Sequence, residues 1–193
     1  MVKITRPRGG TSYFIGCPHF GHSRIIEYCN RPFPDVYRMD EAIIENWNSV
    51  VGERDDVWVL GDFTLDRDAQ QYFRRLNGRI YVLEGDHDKK WMQSDRDHCS
   101  RQQRVILVPP IYELIIPIPP ETINIVLCHY PIRKWRKSHY NSWHLYAHCH
   151  GRDKPIGKSW EVSVENTGYF PLSLDEIIGI MKNRPDNPNL IKR

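Results

Sequence analysis

The stretch FIGCPHFGH (14–22) ends an apolar run and then offers a thiol and two imidazoles, Cys17, His19 and His22. Four later runs end in the same manner. DVWVLGD (56–62) delivers Asp62, and RIYVLEGDHD (79–88) delivers Asp86, His87 and Asp88. INIVLCH (123–129) delivers His129, and HLYAHCH (144–150) delivers His148 and His150. Thiolate, imidazole and carboxylate are the side chains that hold divalent metals. In extended chain residues i and i+2 point the same way, so Cys17 faces one site with His19, and His148 with His150. The same alternation turns Cys128 and Cys149 away into packing, as small buried hydrophobes. One such segment carries little weight, because a lone Gly-Asp or a lone histidine is common. Five in order predict a shared metal centre in the crevice beyond the carboxyl ends of sheet strands.

The runs that must position these residues are short and bounded by Gly, Pro, Asp or Asn. They predict strands over 12–16, 56–62, 79–86, 111–118, 123–129, 144–150 and 160–166. MDEAIIENWNSVV (39–51) spaces Ala42, Ile43, Trp47 and Val50 as one helical stripe. RDAQQYFRRLNG (67–78) reads as a helix ending at Gly78, a residue suited to a left-handed cap. SLDEIIGIM (173–181) opens with Ser173 and Glu176 as a capping box, with Leu172 and Ile177 as its hydrophobic staple. Strands alternating with helices, then mostly strands and a closing helix, predict an α/β fold with a sheet core and outer helices. The expectation is one domain over 1–193, its core at 11–181, with the Pro- and Asn-rich tail 182–193 frayed.

A chain of 193 residues, 40% hydrophobic and 26% charged, has the composition of a soluble globular domain. No run approaches the roughly 18 apolar residues of a membrane span, so no membrane partner is expected. MVKITRPRGG has no apolar stretch behind its charges that would make a signal peptide. Five cysteines without a C-x-x-C pair argue against a disulfide framework and for a reduced, cytoplasmic location. The net charge of +3 suits an anionic ligand without demanding one.

The ordered set C-x-H, G-D, G-D-H-D, H and A-H-C-H resembles the calcineurin-like metallophosphoesterase superfamily, which carries D-x-H, G-D, G-N-H-[DE], H and G-H-x-H. The phrases FGHSRIIEYCNRPF, LNGRIYVLEGDHDK, VLCHYPIRKW and SWHLYAHCHG look like its small bacterial and phage-type members without a cap domain. The resemblance runs from Tyr13 to Ile177. It implies a four-layer α/β/β/α sandwich of two packed mixed sheets flanked by helices. It also implies two divalent ions, of manganese, iron or zinc. One would be held by Cys17, His19, Asp62 and His150, the other by Asp62, Asp86, His129 and His148, with Asp62 bridging. His87 would stabilise the transition state and protonate the leaving oxygen, and Asp88 would orient His87. The implied reaction is hydrolysis of a phosphodiester or nucleotide-type phosphoester by a hydroxide held between the ions.

Three positions depart from that pattern: Cys17 stands where the superfamily has Asp, Asp86 where it has Asn, and Ala147 where it has Gly. The first two exchange one ligand type for another. Thiolate replaces carboxylate at equal charge, whereas Asp86 adds a negative charge and cancels the net positive charge of the usual cluster. A neutral cluster holds metal tightly but is a weaker Lewis acid and attracts phosphate less. The soft thiolate shifts preference toward zinc or iron and brings an oxidation liability. Two readings stay open, a retuned phosphoesterase and a damped or inactive metal-binding interaction module. A purely structural zinc site fits less well, because the candidate ligands outnumber those of one closed ion.

Substrate contacts are expected from His22 and Arg24, just after the first motif, and from HYPIRKWRKSHYNSWH (129–144). There Arg133, Lys134, Arg136 and Lys137 interleave with Trp135, Tyr140 and Trp143, which makes Arg133 and Trp135 candidates. The pattern fits phosphate contact with base stacking, as on a nucleotide or single-stranded nucleic acid. It fits a solvated charged loop equally well. His98, His139 and His144 read as surface or hydrogen-bonded histidines, and Glu161 and Glu165 receive no role.

Overall fold

The computed structural model describes residues 10–94 and 104–191, so His98 lies outside it. Two sheets carry the chain. In the first, β1 (Ser12–Ile15), β2 (Asp56–Val59), β3 (Arg79–Val82) and β4 (Val105–Leu107) run parallel in the order β4-β3-β2-β1. The short β9 (Leu172–Ser173) adds antiparallel to β1. In the second, β5 (Ile111–Ile118) pairs antiparallel with β6 (Glu121–Cys128), and β7 (Trp143–Tyr146) and β8 (Ser159–Glu161) follow in parallel.

Both faces of the first sheet are buried, which is why its strands read as continuous apolar runs rather than alternating ones. Ile15, Val57, Val59, Ile80 and Val82 meet one set of helices. These are α1 (Arg24–Tyr28), α2 (Val36–Val50), α3 (Gln70–Phe73) and α4 (residues 89–94), which supply Ile25, Met39, Ile43, Trp47, Phe73 and Trp91. Phe14, Trp58, Leu60, Tyr81 and Leu83 point the other way, onto Leu114, Ile116, Ile125, Leu127 and Leu145 of the second sheet. Trp58 stacks on Tyr81 at 4.2 Å between ring centres, the offset arrangement that aromatic quadrupoles favour. Ile177 and Met181 of α6 (Leu174–Asn183) close this second core beside β9. The protein is therefore an α/β fold of two mixed sheets flanked by helices.

Several elements differ from the sequence expectation for local reasons. The helix expected over 67–78 shrinks to α3, because tertiary partners capture its late carbonyls. Arg104 donates to Phe73 O and Leu76 O, and the Trp47 indole donates to Asn77 O. The next backbone turn is left-handed at Gly78, as its glycine suggested. α2 starts earlier than expected because the Asp35 side chain accepts from Arg38 N at 2.8 Å. The strand expected over 160–166 ends at Glu161 and gives way to a helical turn, α5 (Val164–Thr167). The capping box of Ser173 and Glu176 is present. The tail is not frayed over its described part. Asn187 is 3% exposed. Its side chain donates to Ser138 O and Ser142 O and accepts from Lys158 N, so an asparagine read as a disorder signal works as a clasp.

His144 is buried on β7 with both ring nitrogens used. Nδ1 donates to Val126 O at 2.9 Å and Nε2 accepts from Ile132 N at 3.1 Å, which fixes a neutral ring. Burial pushes its pKa down to about 4. Between that value and 6.5 the unfolded chain binds the extra proton, so acid destabilises the fold through this residue. The contribution, about 3 kcal/mol, is intact above pH 6.5 and is lost as pH falls toward 4. Thermal melting from pH 7 to 4 should show a steeper loss for the wild type than for His144→Gln. Parallel curves would refute the assignment.

Candidate metal centre

Every ligand expected from sequence lies just past a strand's carboxyl end, and hydrogen bonds splice the ligand loops together. Cys17 N donates to Gly61 O, His19 N to Asp62 O and Phe20 N to Phe63 O, which zips the loop after β1 to the loop after β2. Gly16 N donates to Val162 O and Val164 N to Gly16 O, which joins the end of β1 to the end of β8 across the two sheets. A side chain at Gly16 would meet the Ala147 methyl at 2.4 Å, so the two sheets close here only over a glycine. At Gly85 a Cβ would strike Asp62 N at 2.4 Å, so the loop after β3 can approach Asp62 only as glycine.

Strand alternation does not bring these side chains together. Cys17, His19, Asp62, His148 and His150 are not extended. Each holds a left-handed φ between 51° and 72°, so turns rather than strand alternation aim the side chains. Left-handed backbone at non-glycine residues costs on the order of 1–3 kcal/mol each and persists where the surroundings enforce it, typically at functional sites.

The ligating atoms meet around Asp62, which lies within 4.8 Å of Cys17 and His129 in one group and of His19 and His87 in another. Cys17, His19 and His150 present theirs within 4.8 Å of one another, and so do Asp86, His129 and His148. Asp62 Oδ2 lies 3.4 Å from His19 Nε2 and 3.6 Å from His129 Nε2. Asp86 Oδ2 lies 3.2 Å from His148 Nδ1 and 4.0 Å from His129 Nε2. Nε2 of His19 and Nε2 of His129 are both buried without a hydrogen-bond partner among the described residues. An orphaned buried polar atom is costly, and two of them flanking one carboxylate oxygen fit a bound cation.

The electrostatics agree with that fit. Burial, helped by the Arg31 charge, pushes the His19 pKa well below its ordinary value, so the ring is neutral and its lone pair is available. His129 Nδ1 donates to Leu60 O at 2.7 Å, which leaves Nε2 as the ligating atom. Burial and then the Asp62 charge hold the Cys17 thiol well above its ordinary pKa. The thiol is protonated without metal, so binding would release that proton.

No protein-family model matches the sequence. The uncharacterized protein MJ1445 of Methanocaldococcus jannaschii is 32% identical over 181 residues, covering 88% of this chain and 90% of the relative. This chain belongs to the MJ1445 family. The Gene 66 protein of Mycobacterium phage D29 is 26% identical over 72% of the chain, and that of phage L5 is 33% identical over 40% of it. A crystal structure of AQ665 from Aquifex aeolicus, described as a protein of unknown function, shares the fold. Its TM-score is 0.62 at 24% identity, over 89% of this chain and 100% of that one.

In this MJ1445-family protein His87 sits exposed at the rim, its ring 5.3 Å from His19 and 5.7 Å from His22, and its backbone N donates to Asp62 Oδ1. His22 borders the site, with Nδ1 3.2 Å from His19 Nδ1, and Arg24 is exposed at the start of α1. Asp88 does not orient His87. Its buried carboxylate accepts from Asp62 N, Phe63 N, Gly85 N and the Trp91 indole, so it orders the two loops that carry Asp62 and Asp86.

Trp135 is likewise corrected. It is 8% exposed, its indole bonded to Ser142 O and its ring against His144, so it is a packed residue that reaches the surface only along a cavity it lines with Lys134 and Arg136. Arg136 and Lys137 reach Glu113, while Arg133 is exposed. The basic stretch is thus partly the structural loop that its composition also allowed. Cys128 is buried as expected, and Cys149 is half-buried.

Sequence reasoning missed three residues. Glu165 Oε1 accepts from His150 Nδ1 at 2.9 Å and from Arg31, whose buried guanidinium also binds Cys17 O and Pro18 O. Burial raises the Glu165 pKa, but the His150 hydrogen bond and the Arg31 charge outweigh it and leave the carboxyl below its usual range. The Tyr130 hydroxyl donates to Asp86 Oδ1 at 2.5 Å, which raises its own pKa to about 12. Only the adjacency of Tyr130 to His129 in sequence hinted at any of these.

Proposed function

We propose that this chain is a binuclear metal-dependent phosphoesterase of the calcineurin-like type, built as that superfamily's four-layer sandwich and acting on a phosphodiester or nucleotide-type ester. The observation that carries the reading is the pair of unpartnered imidazole nitrogens, on His19 and His129, flanking one oxygen of Asp62. Cys17, His19, Asp62 and His150 would hold one divalent ion, and Asp62, Asp86, His129 and His148 the other. When bound, such a pair supplies Lewis acidity and an activated water at neutral pH. His87, exposed and tethered to Asp62 through its backbone, would give a proton to the leaving oxygen. The exposed rim of Asp86, His87 and Tyr130 suits a substrate with groups on both sides of phosphorus, hence a diester.

Hydrolysis of bis(p-nitrophenyl) phosphate by reduced protein, with manganese, iron, zinc, nickel or magnesium, tests this. Metal-dependent turnover is expected. Its absence with every ion, on a protein that binds metal, would favour the metal-binding interaction module that the neutral cluster suggests. A Cys17→Asp/Asp86→Asn double variant, which restores the superfamily's ligands, should raise turnover and move preference away from zinc and iron. Unchanged rate and metal preference would rule out retuning by these two residues.

A further inference from the structure

Arg31 and Glu165 form a buried cross-link between the two sheets, directly behind one half of the metal centre. Arg31 follows α1 and is 4% exposed. Its guanidinium donates to Cys17 O and to Pro18 O at 2.8 Å, clamping the loop that presents Cys17 and His19. It also donates through Nε at 3.0 Å and Nη2 at 2.8 Å to Oε1 of Glu165, 134 residues away at the start of α5. The same Oε1 accepts from Nδ1 of His150. One guanidinium and one carboxylate therefore fix the loop of Cys17 and His19 from the first sheet and His150 from the second. The other half of the centre has separate supports, Leu60 O for His129 and Tyr130 for Asp86.

We propose that Arg31 and Glu165 are positioning residues for the thiolate half of the metal centre alone, a role that rests on the binuclear reading above. A carboxylate that accepts from a ligand's second ring nitrogen fixes the tautomer and strengthens the ligating nitrogen. Here Oε1 of the carboxylate is itself fixed by two N–H groups of one buried guanidinium. A rival use of these groups is as ligands, since Cys29, His150 and Glu165 also lie within 4.8 Å of one another. Glu165 Oε2 is buried without a hydrogen-bond partner among the described residues, but an ion there would sit against the Arg31 guanidinium, which already matches the Glu165 charge.

The test is a cobalt(II) titration of reduced full-length protein, followed by the thiolate-to-cobalt charge-transfer band and by bound stoichiometry. Wild type should take two ions, one with the band. Cys17→Ser should abolish the band and Cys29→Ser should keep it. Glu165→Gln should weaken the band-forming site about 10–100-fold and leave the second site within about twofold. Tyr130→Phe should do the reverse. Arg31→Lys, which keeps the charge but not the fork, should reproduce Glu165→Gln if that variant folds poorly. Equal titration of wild type, Glu165→Gln and Arg31→Lys would overturn the positioning role while leaving the binuclear reading intact. So would parallel loss at both sites with an early melt. A wild type that binds no cobalt would overturn both.

Discussion

On the proposed binuclear reading, Asp62→Asn should lower metal-dependent phosphodiester hydrolysis by about a thousandfold or more, without unfolding. Asp62 Oδ2 is the oxygen approached by the orphaned nitrogens of both His19 and His129, so neutralising it weakens both halves of the centre at once. Lewis-acid stabilisation by such a pair is worth several kcal/mol, and each 1.36 kcal/mol is about a factor of ten in rate. The fold should survive, because asparagine keeps a carbonyl oxygen for His87 N and because Asp88, not Asp62, supports the loop backbone. Initial rates beside a thermal melt check this. A folded variant within tenfold of wild type would contradict the shared-ligand role.

Asp88→Ala is expected to destabilise the fold by about 3–5 kcal/mol, because it strips four buried donors of their acceptor at about 1 kcal/mol or more each. Its oxygens take four donors between 2.6 and 2.8 Å, from Asp62 N, Phe63 N, Gly85 N and the Trp91 indole. Alanine leaves all four buried and unpaired. Asp88→Asn should be nearly as harmful, because each oxygen accepts two donors and an amide nitrogen would face two of them. Urea unfolding measures both. A loss below about 1 kcal/mol for the alanine variant would mean that the loops hold each other without Asp88.

Much of this was legible in the sequence because the metal-type residues follow strongly patterned strands. Apolar runs before Cys17, Asp62, Asp86, His129 and His148 place those residues past strand ends wherever the boundaries fall. The seven ligand candidates do come together. What could not be read depends on backbone direction and long-range partners. Left-handed turns at Cys17 and His150 look like nothing in composition. Arg31 and Glu165 sit in separate, ordinary-looking segments and acquire meaning only when the ends of β1 and β8 pair. The family resemblance paired Asp88 with His87, but the carboxylate turns instead to Asp62 N, Phe63 N, Gly85 N and the Trp91 indole. Trp135 shows the converse. Basic and aromatic residues in alternation signalled a binding loop, but the ring is needed to cover His144.

Equilibrium dialysis of reduced protein against zinc, manganese and iron(II), with elemental analysis of bound metal, tests the two-ion centre most directly. Two ions per chain in the wild type, falling below one in Asp62→Asn, is the expected result. One ion or none in the wild type, or two ions retained by Asp62→Asn, would contradict a centre built around that shared carboxylate.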